Sequence, residues 1–216
     1  MCSSDLAAIL DPELTVGLPP FVTAATGMDA LTHNLEAYVA KGEHPLADAI
    51  AIDGLRRIAG HLVRAVKDGN DLEAREQMLL GSAFGAIAFQ KGLGACHSVA
   101  HALTPVAGTH HGLANSLMLP TVVNFNRAAA EERLATAAVA LGADPKMSAQ
   151  ERAHLCVELV DDLRAACGLP RKLSQAGVKR EMIPLIVEKA LADACHLANP
   201  RQVTESDFER LIQEAF

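Results

Sequence analysis

From Thr26 to the C-terminus, apolar and polar residues alternate one by one over at most five residues at a time. A half-buried strand needs that alternation, so the pattern argues against sheet over most of the length. Apolar residues recur instead three and four apart, with turn chemistry between the runs. Leu46, Ile50, Leu55, Ile58, Leu62 and Val66 form one such stripe, expected to be buried. Asp68, Gly69 and Asn70 end it, and Asp71 opens a third helix. That helix is apolar all round over residues 78–89, which predicts a central position. Residues 114–124 read as a further apolar helix broken by Pro120, and residues 128–141 as an Ala-rich one. Ser148 with Glu151 has the form of a capping box, opening a helix that ends at Gly168; residues 184–194 read as a short helix. Thr204 with Asp207 opens the last amphipathic helix. Before Thr26, the prolines at 12, 19 and 20 predict extended or irregular chain, so Thr26 is expected to cap the first helix, which runs to about residue 41. The fold class is all-α, a helical bundle.

Length and composition narrow the function. The chain has 216 residues, enough for one sizeable core. Its net charge of −7 argues against nucleic acid and anionic membrane as partners, and the absence of Trp removes a stacking platform for bases. Residues 79–89, the most apolar stretch, are too short to span a bilayer. Met1 to Asp5 lacks the charged and apolar regions of a secretory signal. Five cysteines without a CxxC pair fit a reducing, cytoplasmic compartment, with Cys96 read as a small buried group.

The chemistry is concentrated in KGLGACHSVAHALTPVAGTHHGLANSLMLP, residues 91–120, which holds four of the nine histidines. Its KGLG is neither GxGxxG nor a GxxxxGK phosphate loop, and it follows a helix; its expected role is to end that helix and let backbones approach closely. His97 and His101 lie four apart, as do Asp29 and His33 in TGMDALTHNLEAY, so each pair shares a helix face. Each pair also has a bland reading. Asp29 suits a capping box with Thr26, His33 a half-buried helix position, and His110–His111 a loop. Predicted interior flanks the histidine stretch on both sides, and buried imidazoles need partners. One carboxylate with three neutral imidazoles makes a shell for Fe²⁺ or Zn²⁺ with a position left open. His44, His61, His154 and His196 lack companions at useful spacing and read as surface or core-edge residues.

These segments resemble the iron-containing (group III) alcohol dehydrogenases. DPELTVGLPPFVTAATGMDALTHNLEAY is similar to that family's approach to its metal helix. GLGACHSVAHALTPVAGTHHGLANSLMLP is similar to its signature GxxHxxAHxxGxxxxxPHG, and ANPRQVTESDF to its NPR-x-x-T segment. The resemblance covers residues 11–216 and only the family's C-terminal helical domain. It implies metal ligands Asp29, His33, His97 and His111, with His111 preferred to His110 because it precedes Gly112 and follows His97 by fourteen. It also implies that His101 lies near the substrate and nicotinamide and relays a proton. Here His110 stands where Pro is common in the family, and Leu-Thr-Pro displaces a Gly.

The implied activity is hydride transfer between an alcohol or aldehyde and NAD or NADP, with Fe²⁺, or Zn²⁺ in its place. The expected partner is a small alcohol or aldehyde, with a homo-oligomer as a further expectation. The family's N-terminal nucleotide-binding domain has no counterpart in these residues. Residues 1–10 are read as its remnant, with a last strand at 6–10, or as a terminal scar. On this reading the chain is a fragment. The alternatives are an inactive metal-binding or oligomerisation module, and a zinc-type domain like those of glycerol dehydrogenase and dehydroquinate synthase. A helical HD-type phosphohydrolase would need a His-Asp dipeptide, which is absent.

Overall fold

The structure is a computed structural model that describes residues 8–216. Among the described residues there are nine α-helices, short 3₁₀ turns and no strand, so the all-helical reading holds. The strand expected at 6–10 lies partly outside the described residues, and residues 8–10 carry no regular structure.

The first helix, α1, spans Pro20–Val39 and starts six residues before Thr26. The two prolines that argued against a helix instead begin it: Pro20 occupies the first turn, where its missing N–H costs nothing. Thr26 therefore caps nothing. Its hydroxyl donates to the Val22 carbonyl one turn back at 2.8 Å. Asp29 consequently lies in mid-helix, and the capping-box reading of that pair is corrected. Upstream, Pro12 opens a 3₁₀ turn, Pro12–Thr15, with Asp11 accepting from the Glu13 amide.

α2 (Pro45–Lys67) and α3 (Leu72–Ala88) form an antiparallel pair beside α1. The expected stripe of α2 is only partly buried. Leu55, Ile58 and Leu62 are fully enclosed, whereas Leu46 is 73% exposed and Ala47 and Ala51 pack in its neighbourhood. The third helix is not central. α3 buries Ala74, Arg75, Gly81, Gly85 and Ala88, and leaves Ile87 54% exposed. α1 is far more enclosed, with 13 of its 20 residues buried against 5 of 17 in α3. Nine of its 13 buried residues are small or polar, and that weakens the apolar signal that made α3 look more central.

α4 (Ala95–Ala107) and α5 (His111–Asn126) follow the Gly92–Gly94 turn. Pro120 does not break α5, contrary to expectation. An interior proline costs about 3 kcal/mol. Leu117, Met118, Leu119, Val122 and Val123 are all buried around it, each worth about 1.5–3 kcal/mol, and packing wins. α6 (Glu131–Ala140), α7 (Ala149–Ala166), α8 (Ile183–Ala192) and α9 (Glu205–Glu214) complete the bundle. The capping boxes at Ser148/Glu151 and Thr204/Asp207 are both formed. No helix among the described residues is long and apolar enough to cross a membrane.

Candidate metal centre

α1 carries Asp29, His33 and Glu36 at spacings of four and three, hence on one face. α4 presents His97 from its first turn and His101 one turn later. α5 begins at His111. A close backbone approach brings the last of these to the first: a Cβ on Gly112 would lie 2.3 Å from the Ala25 carbonyl oxygen. Only glycine lets the first turn of α5 press so near α1.

The result is a tight set of three. Asp29 Oδ1 lies 3.4 Å from His111 Nε2 and 3.7 Å from His97 Nε2. Ligands about 2.1 Å from a tetrahedral ion lie about 3.4 Å from one another, so the set fits a metal with little adjustment. The Asn115 side-chain nitrogen stands among these three atoms, 2.6 Å from Asp29 Oδ1, 3.1 Å from His111 Nε2 and 3.3 Å from His97 Nε2.

His33 does not join this set of nitrogen and oxygen atoms. Its ring stacks on His97 at 4.5 Å and meets Phe89 at 5.3 Å. His101 stacks on His111 at 5.3 Å and is held by Asp193, whose Oδ2 faces His101 Nδ1 at 2.8 Å. His110 sits outside, its ring edge against Phe21. The remaining histidines are occupied by nearby backbone: His44 caps α2 at Ala47, and His61, His154 and His196 face the carbonyls of Arg57, Gln150 and Leu191.

His97 is buried, whereas the side chains of His111 and His101 are 34% and 43% exposed, so the centre opens on one side. The fields follow from this arrangement. Burial opposes charge on Asp29, but the His111 hydrogen bond and the nearby imidazoles outweigh it and lower its pKa. His33 is pushed down to about 4 by burial and by His97. His111 is raised by its hydrogen bond to Asp29. The Cys96 thiol, enclosed between Glu36 and Asn115, is pushed well up by burial.

Residues 23–216 match the C-terminal part of the Fe-containing alcohol dehydrogenase family. The chain belongs to that family. It is 39% identical to 4-hydroxybutyrate dehydrogenase of Cupriavidus necator, over 97% of this chain and 55% of that protein. It is 40% identical to NAD-dependent methanol dehydrogenase of Bacillus methanolicus, over 96% and 55%. The solved structure of a 1,3-propanediol oxidoreductase superposes with a TM-score of 0.93 at 38% identity, covering 95% of this chain and 55% of that one. The chain thus spans about half the length of the relatives it matches.

In this iron-containing alcohol dehydrogenase domain, three site residues escaped the sequence reading. Glu36 continues the Asp29/His33 face by one further turn, and Asn115 follows His111 by four; both spacings were visible in principle. Asp193 gave no signal, because 92 positions separate it from His101. Its carboxyl is held at about 2: burial works against this, and the Cys195 amide, His101 and Ser98 outweigh it. Cys195, beside it, is pushed up to about 12 by burial and by donating to that carboxylate.

Proposed function

We propose that this chain is the metal-holding half of an NAD(P)-linked dehydrogenase of small alcohols and aldehydes. The convergence of Asp29 Oδ1, His97 Nε2 and His111 Nε2 in one small space carries the reading. Asp29, His97 and His111 would hold Fe²⁺ or Zn²⁺, and His33 would complete the set from its place against His97. A divalent metal supplies Lewis acidity toward an alcohol or carbonyl oxygen, and a nicotinamide supplies the partner for hydride. The names of the relatives, dehydrogenases of methanol and 4-hydroxybutyrate, support small oxygen-bearing substrates and NAD.

The protein residues have distinct tasks in this scheme. Asp29 brings the negative charge that offsets a cation. His97 and Asn115 form the closed wall, and the half-exposed edges of His111 and His101 form the open one. His101 donates Nδ1–H to Asp193, which leaves Nε2 as an acceptor able to take a proton from the substrate side. Hydride transfer needs the nicotinamide within reach, and the part of the relatives that this chain does not match is where its binding half is expected.

The test is a metal titration of the purified chain under anaerobic conditions with Fe²⁺, and in air with Zn²⁺. One ion per chain and a rise in melting temperature are expected, and both should vanish in Asp29→Ala and His97→Ala. An unchanged melting curve with either ion would end the metal reading.

A further inference from the structure

We infer that Glu36 is the positioning residue of this centre: it fixes the His97 ring as the tautomer whose bare Nε2 faces Asp29 and His111. The inference rests on the metal reading for its purpose, though not for its geometry.

Glu36 lies on α1 and is 3% exposed. Its Oε1 accepts from the Cys96 amide at 2.8 Å. Its Oε2 accepts from the Gly94 amide at 3.1 Å and the His97 amide at 3.3 Å, and faces His97 Nδ1 at 2.7 Å. Those amides are the open first turn of α4, which begins at a glycine without a capping side chain and contains no acid of its own. A carboxylate surrounded by backbone N–H donors acts as an acceptor, so Nδ1 must carry the ring hydrogen. Nε2 is then a lone pair.

An independent contact at the opposite edge of the ring gives the same answer. The Asn115 amide is oriented by Asp29, which accepts from its nitrogen at 2.6 Å. That nitrogen can only donate, and it lies 3.3 Å from His97 Nε2. Both edges of one imidazole therefore specify one tautomer, with the metal-binding nitrogen turned toward the cluster. Gly94 leaves the space that this needs: a Cβ there would lie 2.6 Å from Glu36 Oε1.

A simple helix cap would make fewer demands. Any acceptor would satisfy the α4 amides, whereas the tautomer requires Oε2 in particular to accept from Nδ1. In Glu36→Gln, one oxygen becomes an NH₂ group. If that group takes the place of Oε1, it meets the Cys96 amide donor to donor. If it faces Nδ1, the ring hydrogen must move to Nε2, which then cannot bind a metal. Loss of a partner that orients a ligating histidine lowers metal affinity by about 10–100-fold.

The experiment is imidazole ¹⁵N NMR on the metal-free full chain, with His97 assigned, alongside metal titration. The wild type should show Nδ1–H at His97, and Glu36→Gln should shift the ring toward Nε2–H and weaken metal binding 10–100-fold. Gly94→Ala, which touches no imidazole, should act in the same direction by displacing the carboxylate. His97 as Nε2–H in the wild type would overturn the inference, and so would Glu36→Gln binding metal as tightly as the wild type. If Glu36→Gln does not fold, the wild-type tautomer and Gly94→Ala still decide. Should the wild type bind no metal, the metal reading falls alone, because the tautomer is read without it.

Discussion

Asn115 donates to Asp29 at 2.6 Å, joining α5 to α1 across 86 positions of the chain. A hydrogen bond to a charged group contributes about 1.5–3 kcal/mol. Asn115→Ala should therefore destabilise the metal-free chain by about that much. With Zn²⁺ present, the ion would face Asp29 directly and the loss should shrink. Thermal denaturation with and without metal checks this, and an equal loss in both states would show that Asn115 does not occupy the cation's place.

The imidazoles of the centre should not be equivalent. His97 Nε2 and His111 Nε2 point with Asp29 into one space, while His33 contributes its ring face to His97. Removing His97 should abolish metal binding. His33→Ala should reduce affinity at least tenfold less than His97→Ala does. Calorimetric titration of the two variants ranks them, and the reverse order would place His33 nearer the ion.

Gly112→Ala tests the approach of α5 to α1. The added methyl would meet the Ala25 carbonyl at 2.3 Å, a backbone atom that cannot swing aside. Overpacking of this kind costs about 1–3 kcal/mol. The same displacement should carry His111 away from Asp29, so metal affinity should fall along with the denaturant midpoint. A stable variant with unchanged affinity would show that α5 can shift without disturbing the centre.

Asp193 gives a pH signature. Its carboxyl is held at about 2, below the usual 3.8, because the Cys195 amide, His101 and Ser98 together outweigh burial. A depressed folded-state pKa contributes stability above the unfolded value, and that contribution fades as pH falls from about 4 toward 2. The stability gap between wild type and Asp193→Asn should be widest above pH 5 and narrow through that window. Urea unfolding at several pH values measures it, and a gap that stays constant to pH 3 would contradict the assignment.

The parts of the fold that were legible in the sequence are those decided locally. Asp71, Ser148 with Glu151, and Thr204 with Asp207 cap the helices they were expected to cap, because capping involves only four neighbouring residues. Misreadings arose where distant residues decide. Pro20 and Pro120 looked like barriers, yet one occupies a harmless first turn and the other sits in a helix enclosed by the core. The rank of α1 over α3 was hidden because α1 buries Thr32, Asn34 and Glu36. The spacing of Asp29 and His33 predicted a shared face, as found. The bonds of Glu36 to Gly94 and of Asp193 to His101 follow from packing, and no spacing along the chain encodes them.

The cap that Glu36 places on α4 also bears on how the chain opens. The Cys96 and His97 amides are satisfied by a side chain 60 and 61 positions away, on the largely buried helix α1. Releasing them requires breaking the bonds between the Glu36 side chain and the start of α4. Their hydrogen exchange should therefore proceed only through global unfolding, at the slow limit for the molecule, while a locally capped start such as Ser148–Glu151 exchanges sooner. Slow exchange there would mean that the centre, drawn from α1, α4 and α5, forms and is lost together with the bundle.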